Sequence, residues 1–130
     1  MDEQIKRLKM WMNGEKPGPY SLELYTDIGC NLFCKFCDPD PRPLKHLNFE
    51  VAYKLLEDAK DMNVKVVRVI GVGDPFMKRQ KMMDLLIKIK DYGFFGYVVT
   101  NGSLFKEEDI KNLVKIKWDE LRISLHGPNK

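Results

Sequence analysis

Strand-like and helix-like segments alternate along nearly the whole chain, and this order restricts the folds open to it. Tyr20 to Thr26 (Tyr-Ser-Leu-Glu-Leu-Tyr-Thr) alternates in the manner of a strand. Val64 to Ile70 is a β-branched run ending at glycine, and Phe95 to Thr100 is a third strand stopped by Asn101-Gly102. Leu121 to Leu125 is a fourth, ending at His126-Gly127-Pro128. Between the strands lie three helical stretches. Asn48 can cap the first, which runs to about Met62 with Phe49, Ala52, Tyr53, Leu56 and Ala59 at helical spacing. The second covers about Lys78 to Tyr92, with Met82, Met83, Leu85, Leu86 and Ile89, and the third Lys106 to Ile116. Strict alternation predicts an α/β fold of parallel strands joined by right-handed crossovers. The second to fourth strands are nearly continuous in apolar residues, which predicts helices on both faces of the sheet.

At 130 residues, the chain is one domain or a piece of one, and 44% hydrophobic content is enough for a core. The net charge of +3 is spread along the chain, and no basic run argues for nucleic acid. No apolar stretch approaches the roughly 20 residues that a membrane span needs. Met1 leads into a charged segment, so no signal peptide is expected. The first sixteen residues suggest an extra helix with Ile5, Leu8, Trp11 and Met12 on one side. That side is expected to pack against the bottom of the sheet; lying on a membrane surface is the other reading. The division expected is residues 1–19 as a helical extension and residues 20–130 as the main unit.

The chain's three cysteines stand within eight residues, Cys30-Asn-Leu-Phe-Cys34-Lys-Phe-Cys37. An odd count in one tight cluster is a poor disulfide framework, and a reducing cytoplasm is the expected setting. Structural zinc normally takes four protein ligands. A four-iron cluster held at every corner also wants four cysteines. Three thiolates therefore suggest a cubane with one iron open to a non-protein ligand; zinc is the weaker alternative.

The remaining chemistry-bearing residues also fall at the carboxyl ends of the strands, where ligands bind in parallel α/β proteins. Gly71 and Gly73 let the backbone approach a ligand closely, and Pro75 stiffens the turn after them. Val72 lies between the glycines, and Asp74 could accept from a ligand ammonium. Ser124 and His126 close the fourth strand. Phe36 could cover an aromatic ligand, whereas Phe33 and Phe36 could equally pack the loop. Asn101-Gly102 reads as an ordinary turn, and His46 as a loop residue with no partner.

With these residues in view, the chain resembles the radical S-adenosylmethionine superfamily. That family's signature is C-x3-C-x-aromatic-C, which Cys30, Cys34, Phe36 and Cys37 match in full. Its Gly-Gly-Glu-Pro motif corresponds to Val72-Gly73-Asp74-Pro75, with valine for a glycine and a carboxylate one methylene shorter. The Thr-Asn-Gly and Ser-Leu-His-Gly segments are similar to those of many members. The resemblance implies a [4Fe–4S] cluster on the three cysteines, with S-adenosylmethionine chelating the fourth iron. One electron would cleave the sulfonium to a 5′-deoxyadenosyl radical, which abstracts hydrogen from a substrate. It also implies that Phe36 lies near the adenine, and that Gly71, Val72, Gly73, Asp74 and Pro75 form the methionine-binding turn. Ser124 and His126 would be polar contacts to the cofactor.

The resemblance further implies a barrel of which this chain encodes the N-terminal half, a parallel (βα)4 unit of a partial TIM-type barrel. A closed barrel takes about 250 residues. The partners expected are a C-terminal half, second subunit or homodimer mate, and an electron donor such as a ferredoxin or flavodoxin. The substrate class expected is a peptide, a protein or a cofactor precursor. The rival reading is a truncated iron–sulfur binding or assembly module without radical chemistry.

Overall fold

The computed structural model describes residues 2–25, 29–37 and 47–126. Thr26, the prolines at 39, 41 and 43, His46, and Gly127-Pro128 lie outside the described residues. The element order is α1 (Glu3–Met12), β1 (Ser21–Tyr25), α2 (Phe49–Asp61), β2 (Val66–Ile70), a 3-10 turn (Pro75–Lys78), α3 (Arg79–Asp91), β3 (Phe95–Thr100), α4 (Glu107–Lys115) and β4 (Glu120–Ile123). The four strands form one sheet in the order β1-β2-β3-β4, every pair parallel. The alternation predicted this arrangement, because each helix returns the chain to the same end of the sheet, so the next strand runs in the same direction.

Register sorts the strand side chains into two faces. Leu24, Val69, Val98 and Leu121 lie in one row across the sheet. Leu24, Val69 and Val98 are buried in this row, against Ala52, Leu56 and Ala59 of α2 and Met82, Leu85, Leu86 and Ile89 of α3. The neighbouring row is Glu23, Arg68, Tyr97 and Glu120, one residue earlier on each strand. Arg68 pairs with Glu23 at 3.3 Å, and the guanidinium groups of Arg68 and Arg122 lie over the Tyr97 ring. Helices thus cover one face, and the other carries charge, contrary to the expectation of cover on both. Val66, Ile70 and Val99 on the open face had made the runs look continuously apolar; Arg68, Tyr97 and Arg122 mark the period of two.

The helix-to-strand turns share one device. After α2, α3 and α4 the residues with positive φ are Asn63, Gly93 and Lys117. In each turn the next amide donates back to the helix: Val64 N to Ala59 O, Phe94 N to Ile89 O, and Trp118 N to Leu113 O. This six-to-one bond closes a Schellman motif and aims the chain into the next strand. At Gly96 of β3, an added Cβ would stand 2.4 Å from the Trp118 ring, so only glycine lets that indole cover the strand.

The N-terminal helix forms, capped by Asp2, whose carboxylate accepts from Gln4 N at 3.1 Å. Its attachment corrects the expectation. Leu8, Trp11 and Met12 are exposed, at 57%, 68% and 72%, and Ile5 is half out as well. The buried residue is Arg7. Its guanidinium donates to the carbonyls of Gly18 and Pro19 at 2.8 Å each and to that of Asn63 at 2.5 Å. Five fixed donors suit a cluster of loop carbonyls, and that is how the helix is tied below β1 and β2. Among the described residues no helix is long and apolar enough to cross a membrane.

Candidate cluster and cofactor site

The loops that follow all four strands meet at one cavity of about 230 Å³. Cys30, Cys34, Phe36 and Cys37 line it from the first loop, Gly71 to Asp74 from the second, Thr100 and Asn101 from the third, and Ser124 and His126 from the fourth. Every residue singled out for the site lines it except Pro75, which is buried directly behind Asp74 as the first residue of the 3-10 turn. Phe33 is 98% exposed.

The three cysteines are free thiols, Cys30 and Cys37 exposed and Cys34 half-buried. Cys37 N donates to Cys34 O at 3.0 Å in a tight turn, and both residues line the cavity. Among the described residues no three His, Cys, Asp or Glu side chains stand together as ligands for a single metal ion. The sulfurs share the rim of one cavity instead, as separate corners of a cubane require. Soft anionic donors on one short loop fit an iron–sulfur cluster.

The second loop is built around Asp74. Its backbone N–H donates to Gly29 O at 2.8 Å, which joins the loop to the start of the cysteine segment. Its carboxylate is 2% exposed and caps the 3-10 turn, Oδ1 accepting from Phe76 N at 2.9 Å. Oδ2 accepts from Thr100 Oγ1 at 2.8 Å and Asn101 N at 2.7 Å. The sequence had offered this carboxylate to a ligand ammonium; in the structure its two oxygens already accept three donors inside the protein. Gly71 and Gly73, which have no side chain, bring backbone to the cavity wall beside Val72 and Asp74. Gly71 is required there, since a Cβ would stand 2.8 Å from Gly73 O.

The cavity's far wall is aromatic. Phe36 and His126 pack ring to ring, centroids 4.5 Å apart and planes at 59°. This pairing gives His126 a role as part of a wall. Ser124 N donates to Thr100 O at 2.8 Å, which ties the fourth loop to the third.

The sequence had read Asn101 as half of an ordinary turn. Its Nδ2 lies 3.6 Å from Cys30 Sγ and 3.0 Å from Asn31 Oδ1. An Asn-Gly pair at a strand end is ordinarily a turn, and Gly102 does take a φ of 75° there. Its position one loop away from the cysteines is a product of strand order alone.

The family model described as the radical SAM superfamily matches residues 26–130. The chain belongs to the radical SAM superfamily. Among its relatives is a probable dual-specificity RNA methyltransferase RlmN of Shouchella clausii, 30% identical over 125 residues that cover 85% of this chain and 35% of the relative. Another is the tungsten-containing aldehyde ferredoxin oxidoreductase cofactor-modifying protein of Pyrococcus furiosus, 28% identical over 107 residues, 78% of this chain and 30% of the relative. Among solved structures, Streptococcus suis SuiB bound to S-adenosylmethionine superposes with a TM-score of 0.73 at 25% identity, covering 94% of this chain and 28% of that one. This radical SAM chain spans about a third of the length of the curated relatives it matches.

Proposed function

We propose that this chain binds a [4Fe–4S] cluster and S-adenosylmethionine, and carries the radical-generating part of a radical SAM enzyme. The observation that supports this most is the meeting of all three cysteine sulfurs with the glycine-lined turn of β2 at one cavity. Cys30, Cys34 and Cys37 would hold three irons. When bound, the pair supplies one-electron cleavage of the sulfonium C–S bond, giving a 5′-deoxyadenosyl radical that takes hydrogen from substrate. The protein's own work is to bind, orient and exclude water. The Phe36 and His126 rings wall the place of the adenine. The backbone of Gly71, Val72 and Gly73 accepts the methionine amino group, and Ser124 offers a hydroxyl. Asp74 and Pro75 hold that turn in shape. In this reading residues 20–130 are the cofactor-binding unit and residues 1–19 an extension of it. A ferredoxin or flavodoxin would supply the electron.

For the substrate we favour a peptide, a protein or a cofactor precursor, a reading supported by the name of the Pyrococcus relative. The name of the Shouchella relative supplies the competing class, RNA.

Anaerobic reconstitution with iron and sulfide tests the cluster. The protein should take up four irons and absorb as a cluster, and Cys34→Ala should take up none stably. Reduced in the presence of S-adenosylmethionine, the full-length protein should release 5′-deoxyadenosine. A full-length protein that holds the cluster and never yields 5′-deoxyadenosine would instead be an iron–sulfur binding module.

A further inference from the structure

Cys30 differs from the other two cysteines in having two hydrogen-bond donors on its sulfur among the described residues. One is its own loop, Leu32 N at 3.4 Å; the other comes from β3, Asn101 Nδ2 at 3.6 Å. The second distance would be too long for an oxygen acceptor, but sulfur is larger and accepts from farther away.

The orientation of the Asn101 amide follows from its partners. Ser103 N, a backbone donor with nothing to accept, lies 2.9 Å from Asn101 Oδ1. That atom must therefore be the oxygen, which leaves the nitrogen facing Cys30. The rest of the ring is ordered by the same logic. Asn101 Nδ2 donates to Asn31 Oδ1 at 3.0 Å. Asn31 Nδ2 then donates to Ser103 Oγ at 2.8 Å, and Ser103 Oγ donates to Asn101 Oδ1 at 2.6 Å. Behind the ring, the Asn101 backbone is held by the buried Asp74 carboxylate at 2.7 Å. The cysteine loop is thereby pinned at one sulfur and one side chain to the end of β3.

We infer that Asn101 is a positioning residue for the cluster: its side-chain amide fixes Cys30 and, by donating to that sulfur, raises the cluster's reduction potential. This rests on the three cysteines holding a cluster, as proposed above. A donor on a cluster sulfur stabilises the more negative, reduced state, so its loss lowers the potential. The effect is confined to one corner, since the ring of Asn101, Asn31 and Ser103 reaches only Cys30 among the described cysteines.

The test uses full-length protein reconstituted anaerobically, comparing wild type with Asn101→Leu, which keeps the bulk and the backbone bond to Asp74 but removes the donor. The readouts are the midpoint potential from a titration followed by electron paramagnetic resonance, and the rate of iron loss to a chelator. The variant should titrate at lower potential and lose iron about tenfold faster, in the range of lost outer contacts at metal sites. An unchanged potential in a fully loaded variant overturns the inference. A variant that folds by circular dichroism but fails to hold iron is the extreme of the expected loss. Should Asn101→Leu not fold, Asn101→Asp keeps an acceptor for Ser103 N and removes the donor facing Cys30; it too must lose iron faster, and an unchanged rate overturns the inference. A wild-type protein that takes up no iron overturns the cluster reading itself, which separates the two failures.

Discussion

Asp74 ties three loops of the candidate site together. Its carboxylate is buried and accepts from Phe76 N, Thr100 Oγ1 and Asn101 N, and its own N–H reaches Gly29 O. It thereby joins the loops after β1, β2 and β3. Aspartate suits this place because its short side chain can fold back onto the amide two residues ahead, as an N-cap does. Asp74→Ala would leave a buried hydroxyl and two amides without their acceptor. We expect a loss of about 1.5–3 kcal/mol in a denaturant titration, the scale of bonds to a charged acceptor. Asp74→Glu should also destabilise, because the added methylene pushes the carboxylate past Phe76 N into a packed site. If Asp74→Glu matches wild type in stability and cluster retention, the buried strut is not what this carboxylate provides.

At the scale of the element, the three helix-to-strand turns use one geometry with three residues of unequal fitness. Gly93 takes its positive φ without strain, and Asn63 tolerates it. Lys117, at φ 53°, carries a side chain in a region that most L-residues avoid. The Trp118 N bond to Leu113 O and the Trp118 indole over Gly96 hold it there. Lys117→Gly should stabilise the fold by roughly 0.5–1 kcal/mol, the cost of a left-handed residue set against glycine's extra freedom when unfolded. A fall in the thermal midpoint would show that Lys117 contributes something its backbone angle does not reveal. The opposite change, Gly96→Val in β3, should be strongly destabilising, since its Cβ alone meets the indole at 2.4 Å.

For the whole molecule, the candidate site and the attachment of α1 are at opposite ends of the sheet. The cluster loops gather at the carboxyl ends of the strands, and Arg7 ties α1 to carbonyls that precede β1 and β2. Arg7→Met should release α1, and hydrogen exchange of residues 3–12 should accelerate. Cluster loading should stay at the wild-type level, because no bond of Arg7 reaches the site. A parallel fall in iron content would mean that the two ends are coupled through the sheet. The apolar stripe of α1 had suggested the reverse form of attachment. Helical spacing shows which residues share a face; it says nothing about which face meets the protein when a guanidinium finds three carbonyls.

The chain's own order of segments determined the parallel α/β sheet, and the cysteine spacing determined where the candidate site lies. Both are local: a helix or strand is written in its periodicity, and three sulfurs within one loop stay together in any fold. The rest depended on distance in space. The bonds that the Asp74 carboxylate accepts from Thr100 and Asn101 are invisible in the sequence, because both donors arrive from the next strand. Asn101 reads as half of a turn until the sheet order brings it to Cys30, seventy-one positions back in the chain. The charged open face escaped notice because valines and an isoleucine lie on both sides of β2. Only pairing in register decides which of them share a side with Arg68 and which with the core.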